Sequence, residues 1–240
     1  MVDSDAIILK NVTKIFKLNK PFWHHSAPES NSKLVALEDI SFSVKRGEML
    51  GVIGLNGSGK TTLLRIIAGI YRPTSGYVEV HGKIAPVLSI GTGFNNELNA
   101  IENIISYGMF LGLTKNEILN KVNQIIEFAE LEKFTYMKLG HYSSGMRARL
   151  AFSTVLQVDP DILLVDEVLA VGDRVFKEKS YEEFVKFKKE RKTIVYTTHN
   201  LDKISDLSDR VLLMHKGKMV MIGNPKQVLE KYKELTKSKK

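Results

Sequence analysis

The sequence contains no cysteine, which excludes a disulfide framework and a thiolate metal site. It also lacks any apolar run approaching the length of a bilayer-spanning helix, so the chain itself offers no path across a membrane. A basic leader is missing too: the opening MVDSDAIILK carries acids where a secretory signal carries bases. The cytoplasm is the expected location. No internal repeat is present. Acids are outnumbered, 27 Asp and Glu against 35 Lys and Arg, for a formal net charge of +8. That balance is compatible with nucleic acid, anionic lipid or a phosphate ligand. The bases gather at 177–192, where interleaved acids make a solvated helix face, and in the closing KYKELTKSKK, read as frayed.

What remains is a globular composition of 240 residues, 43% hydrophobic and 26% charged, enough for a sizeable core. Strands are expected at 6–12, 40–44, 48–53, 77–80 and 84–88, with a long loop at 17–33. Helical spacing follows at 60–70 through Leu63, Leu64, Ile67 and Ala68. The middle turns helical, at 99–112 and 145–157. Between them Thr114 and Glu117 form a capping box ahead of Ile118, Val122, Ile125, Ile126 and Ala129 on one face. Strands at 161–165 and 193–198 flank a helix reaching about Arg191. A hairpin turns at Gly217, and a last helix follows Pro225. Alternating strands and helices predict an α/β fold with a mostly parallel sheet and a helical block set into it.

GLNGSGKT at 54–61 fits the pattern G-x-x-x-x-G-K-[ST] between an apolar strand and an amphipathic helix. Gly54, Gly57 and Gly59, with Asn56 and Ser58 between them, let backbone N–H groups turn toward phosphates. Lys60 reaches the β- and γ-phosphates, the Thr61 hydroxyl suits Mg²⁺, and Thr62 continues the helix whose positive end faces the anion. DILLVDE at 161–167 supplies the acidic partner. Asp166, at the end of a buried strand, is expected to hold Mg²⁺ through water, and Glu167 to polarise the attacking water. Kinases, GTPases and many ATPases share these parts.

YSSGMRARLAF at 142–152 separates them, because it resembles the signature motif of ABC ATPases, usually written LSGGQ. The resemblance implies that Ser143, Ser144 and Gly145 bind the γ-phosphate of ATP at a helix N-terminus, although Ser-Ser-Gly would also begin an ordinary capped helix. AVGD at 170–173, with Asp173, matches the family's D-loop, and His199 its switch histidine. Phe16 stands where the family stacks an aromatic on adenine, with Trp23 as a competitor. Adjacent His24 and His25 read as solvated loop residues.

The resemblance implies a P-loop NTPase (RecA-like) core, an antiparallel β subdomain and an inserted α-helical subdomain at about 95–158. These would form one domain over 1–235, followed by a basic tail at 236–240. It also implies a head-to-tail pair of subunits, ATP and Mg²⁺ as cofactors, an integral membrane permease as partner, and a place on the cytoplasmic face of the membrane. YSSGM, DEVLAVGD at 166–173 and GTGFNNEL at 91–98 are most similar to the ATPases of polysaccharide, O-antigen and teichoic-acid exporters. Such motors serve the polysaccharide indirectly. A carbohydrate-binding domain of the kind many of them carry is not expected before Lys240. Where most of the family has a glutamine, LSIGTGF at 88–94 has none, and Glu97 is the nearest polar candidate for that link. No nucleic-acid partner is expected, since a single P-loop in one short chain is unlike the two-module soluble ABC ATPases. The signature weighs against a small-molecule kinase.

Overall fold

The computed structural model describes residues 5–17, 33–88, 93–166, 173–198 and 200–237. The elements begin with β1 (Asp5–Lys17), β2 (Lys33–Lys45), β3 (Met49–Ile53), α1 (Lys60–Ile67), β4 (Ser75–Val80) and β5 (Ile84–Val87). A helical stretch follows, with α2 (Ala100–Phe110), α3 (Lys115–Leu119), α4 (Val122–Ala129) and α5 (Ser144–Leu156). Then come β6 (Ile162–Asp166), α6 (Arg174–Lys189), β7 (Thr193–Thr197), α7 (Leu201–Leu207), β8 (Arg210–His215), β9 (Lys218–Gly223) and α8 (Pro225–Lys237). They fall into two compact units, Met1–His81 with His199–Lys240, and Gly82–Thr198.

In the first unit, β1 is the middle strand of an antiparallel sheet in the order β2-β1-β4. Ile7, Leu9 and Val12 bury one side of β1. The register slips between Leu9 and Val12, where Asn11 and Asp39 both take positive φ and Asn11 Nδ2 donates to Asp39 Oδ1 at 2.8 Å. Such a bulge bends the strand without abandoning the pairing. Both strands run longer than their apolar cores suggest, because backbone pairing continues to Lys17↔Lys33. All five residues of β3 are buried, and β3 runs parallel to β8. β8 turns back into β9 through Lys216 and Gly217, both at positive φ, as a right-twisted two-residue hairpin requires. α7 has no counterpart in the sequence reading. Asn200 accepts from the N–H groups of Asp202 and Lys203 and starts a short helix that buries Ile204 and Leu207. α8 continues through Lys237, where Thr236 Oγ1 donates to Tyr232 O at 3.0 Å inside the helix.

In the second unit, β5, β6 and β7 pair in parallel. β7 is buried throughout and β6 up to Asp166, the pattern of strands covered on both faces. Phe152, Phe184 and Tyr196 stack between α5, α6 and β7 at centroid distances of 6.4 and 6.3 Å. The predicted capping box at Thr114 and Glu117 is present with both of its bonds. The expected single apolar face is instead split between α3 and α4, because Lys121 N donates back to Ile118 O at 3.0 Å and tightens the chain into a turn. Ile118, Val122, Ile125, Ile126 and Ala129 nevertheless all enter one core with Ala100, Ile104 and Leu150. The architecture is α/β, with mostly parallel core strands, an antiparallel three-stranded sheet and a helical stretch between β5 and β6.

Candidate functional site

The loop between β3 and α1 is shaped by what a side chain would strike. A Cβ on Gly54 would lie 2.3 Å from the Met214 carbonyl oxygen, and one on Gly59 2.7 Å from that of Ala36. Both glycines also sit at positive φ, 155° and 103°, so neither tolerates another residue without strain. The β8–β9 turn supports the loop from below: Gly217 N donates to Ser58 O at 3.0 Å, while Gly217 O accepts from Glu38 N at 2.8 Å. Asn56 and Gly57 are exposed at the crown, Thr61 and Thr62 are half-buried in the first turn of α1, and Lys60 is only 7% exposed. The Lys60 ammonium donates to Gly54 O at 2.8 Å and Leu55 O at 3.4 Å, which holds a buried positive charge in the bowl of the loop. Gly59 caps α1 without a side-chain hydrogen bond, so no side chain of the cap competes for the first N–H groups of the helix.

Those groups fit a phosphate. Ser58 Oγ is the one buried side-chain polar atom among the described residues with no hydrogen-bond partner, and it sits inside the same bowl. A buried hydroxyl left unmatched costs about 1–3 kcal/mol, a penalty that an anion accepting from it removes.

Along β1, Phe16 is half-buried and pairs with Leu34 of β2. Its ring meets Tyr71 edge-on at 5.5 Å, and the Lys14 ammonium lies 5.1 Å from its centroid. Trp23, His24 and His25 lie outside the described residues.

In the second unit, β6 delivers Asp166 to its C-terminal end, half-buried, with Thr197 Oγ1 donating to Oδ1 at 2.6 Å. That bond fixes the carboxylate's orientation, as a carboxylate near a divalent cation needs. Glu167, His199 and residues 170–172 lie outside the described residues. Asp173 caps α6 by accepting from Phe176 N at 2.9 Å, with Arg149 Nη1 at 4.0 Å.

The signature segment has its own frame. Tyr142 is buried and donates its hydroxyl to Phe134 O at 2.7 Å, and burial pushes its phenol up. Ser143 caps α5, its Oγ accepting from Met146 N at 3.1 Å. The motif is thus a capped helix start, and its two serines are exposed. Arg147 reaches back from α5 to Tyr142 O at 3.2 Å and to Asn96 Oδ1 at 3.3 Å.

Asn103, 1% exposed, organises the segment 95–99 that follows the glutamine-free stretch. Its amide donates to the carbonyls of Asn95, Leu98 and Asn99, and its oxygen accepts from Asn95 N. Leu98 O and Asn96 O in turn accept from Leu139 N and Gly140 N, both at 2.9 Å. Residues 95–99 are thereby sewn to the stretch entering the signature. Glu97 points outward, paired with Lys138 at 3.0 Å. Sequence reasoning gave no role to Arg147 or Tyr71, and met Asn103 only with Glu102 as part of the stretch resembling the exporter ATPases. Asn103 directly follows Glu102, which forms a capping box with Asn99 at the start of α2, and that Asn–Glu–Asn spacing was the one available signal for it.

A buried strand, a glycine-shaped loop and an uncapped helix carrying a buried lysine define a P-loop nucleotide-binding protein. Residues 37–170 match the family model described as ABC transporter, and the chain belongs to that family. It is 40% identical over 244 residues to the O-antigen export system ATP-binding protein RfbB of Myxococcus xanthus, covering 96% of this chain and 56% of that one. The Klebsiella pneumoniae protein of the same name is 43% identical over 202 residues, covering 84% and 82%. The teichoic acids export ATP-binding protein TagH of Staphylococcus haemolyticus is 36% identical over 239 residues, covering 98% and 90%. The chain thus spans about half the length of some curated relatives and most of others. A solved dimeric ATP-binding cassette, MJ0796 in a post-hydrolysis state with ADP and Pi, superposes with a TM-score of 0.76 at 25% identity, covering 91% of this chain and 98% of that one.

Proposed function

We propose that this chain is the ATP-hydrolysing motor of an ABC exporter, driving a lipid-linked polysaccharide of O-antigen, capsule or teichoic-acid type out of the cytoplasm through a separate membrane permease. The observation that carries the motor reading is the N-terminus of α1. Its donors carry no side-chain cap and surround a buried ammonium and an unpaired buried hydroxyl, a site complementary to polyphosphate. Lys60 meets charge on the transferred phosphoryl group. Thr61 and Asp166 are the residues to hold Mg²⁺, which when bound neutralises charge on the β- and γ-oxygens. Glu167 orients and deprotonates the attacking water, and His199 touches the γ-phosphate.

Ser143, Ser144, Gly145 and Asp173 serve the ATP of a second copy, in an isologous head-to-tail pair. The exposure of the two serines and the dimeric form of the MJ0796 cassette support that assignment. Among the described residues no helix is long and apolar enough to cross a membrane, which supports a permease on another chain and a peripheral place at the membrane. The helical subdomain at about 95–158 within a domain over 1–235 is the part offered to that permease, with 91–99 at the contact. The polymer class rests on the O-antigen and teichoic-acid export named for the relatives. Deleting the gene tests it. A long lipid-linked glycan should accumulate inside the cell and vanish from the surface. Normal surface glycan with loss of uptake of a small nutrient overturns the export reading.

A further inference from the structure

We propose that Tyr71 and Lys14 are positioning residues that fix Phe16 as the platform for the nucleobase, and that Arg65 couples this platform to the phosphate-binding helix. The proposal rests on the nucleotide-binding reading above and extends it to residues outside every motif. Its starting point is where Phe16 lies. Leu37 of β2 is the residue whose Cδ2 a Cβ on Gly59 would strike at 2.8 Å, so β2 touches the phosphate loop there. Leu37 pairs with Lys14, and Leu34 pairs with Phe16. Along β2 the two pairs are three residues apart, roughly 10 Å at strand rise. An aromatic side chain at that offset from a phosphate loop is placed for the base of the same nucleotide.

The ring is held by two neighbours, and its strand by a third. Tyr71 closes the end of α1, its N–H donating to Arg65 O at 3.1 Å and its hydroxyl accepting from Arg65 Nη1 at 3.0 Å. Its ring stands at 77° to that of Phe16. The Lys14 ammonium donates to Arg72 O at 2.8 Å, which anchors it 5.1 Å from the Phe16 centroid and 5.6 Å from that of Tyr71. Thr74 finishes the clamp: its N–H donates to Thr13 O at 2.7 Å and its hydroxyl accepts from Ile15 N at 3.0 Å. The segment after α1 is thus stitched to the strand carrying Phe16. A ring fixed before binding loses no rotamer freedom on binding, which raises affinity without adding a contact to the ligand.

The full chain, with Mg²⁺, is titrated calorimetrically with ATP and with inorganic tripolyphosphate. Tyr71→Ala and Lys14→Met should each weaken ATP roughly two- to tenfold, the range of an aromatic or cation–π contact, and leave tripolyphosphate unchanged. Tyr71→Phe, which keeps the edge contact and loses the Arg65 bond, should lie between wild type and Tyr71→Ala and guards against misfolding of the larger truncation. In a Phe16→Ala background Tyr71→Ala should have no further effect on ATP. Unchanged ATP affinity in Tyr71→Ala overturns the inference, as does an equal loss for both ligands or full additivity with Phe16→Ala. Wild-type chain that binds neither ligand removes the nucleotide reading itself and this inference with it.

Discussion

Two helix N-termini in this chain are assigned to phosphate, and they are built differently. α1 begins at a left-handed glycine with no side-chain cap, packed so tightly that Gly59 has no room for a Cβ. α5 begins at Ser143, whose hydroxyl already accepts from Met146 N, while Gly145 has only a contact of ordinary van der Waals length, 3.8 Å, near its Cβ position. The first end is prepared for a ligand within one chain. The second satisfies itself, so the phosphate proposed to reach it from a second copy would have to replace its cap. That difference suits the composite site proposed between two copies, in which each chain would bind nucleotide at its own loop and keep its own cap until paired. A third N-terminus, at α3, serves as the neutral reference, since its capping box is complete and no ligand is assigned to it.

The largest effect expected is at the prepared end. Lys60→Ala should lower ATP turnover at least about 100-fold, the scale of losing one preorganised charge at a phosphoryl transition state, measured as phosphate release with the permease present. Near-normal turnover would remove the distinction between the two ends altogether. Gly54→Ala should come next. Its methyl group meets the Met214 carbonyl oxygen, so urea unfolding should show a loss of about 1–3 kcal/mol together with loss of ATP binding.

The two serines then separate the ends most sharply. Ser143→Ala should cost about 1 kcal/mol of stability through its cap, keep ATP binding in the single chain, and abolish ATP-dependent pairing of Glu167→Gln chains on a sizing column. Ser58→Ala should do the reverse, weakening ATP while leaving stability equal or slightly higher, because it deletes an unmatched buried hydroxyl. If both serines change only stability, neither end is a phosphate site.

The smallest effect belongs to α3. The Thr114 hydroxyl and N–H donate to the Glu117 carboxylate and hold its pKa below the ordinary value. A lowered folded pKa gives stability that is present above the unfolded pKa and is lost as pH falls through the folded one. Thr114→Val should flatten that acid limb in pH-dependent thermal melts and leave ATP turnover untouched.

The parts legible in the sequence were those whose chemistry is local. GLNGSGKT declares its own turn, and the apolar run before Asp166 declares a covered strand. Thr114 with Glu117 announces a helix start, and the spacing of Ile118 through Ala129 survives the break between α3 and α4 because burial depends on the face rather than on helix continuity. What escaped was set by distant partners. α7 spans seven residues, of which Asp202, Lys203, Ser205 and Asp206 are polar, too few turns for a periodic signal. The Asn11–Asp39 bulge needs two strands at once. Tyr71 acquires its meaning from Phe16, and Asn103 from four groups that only the folded segment collects. At Ser143 the capped-helix reading is the one the structure displays, and the phosphate role remains the proposal.

The strand that feeds the phosphate loop has a further consequence, in the order of synthesis. β3 is paired with β8 from Leu50↔Arg210 onward, and the β2–β3 corner is locked by Met49 N donating to Asp209 Oδ2 and Arg210 Nη1 donating to Glu48, across 160 and 162 residues of sequence. The intervening unit, Gly82–Thr198, is continuous, whereas the unit holding the loop is interrupted by it. At ribosomal rates of about 5–20 residues per second, such a gap is on the order of ten seconds. During that interval the glycine-rich loop has been translated but lacks the Met214 carbonyl and the Gly217 N–H that shape it. The nascent chain therefore reaches its nucleotide-binding form only after the continuous unit has had time to fold, and ATP meets a finished site rather than a growing one.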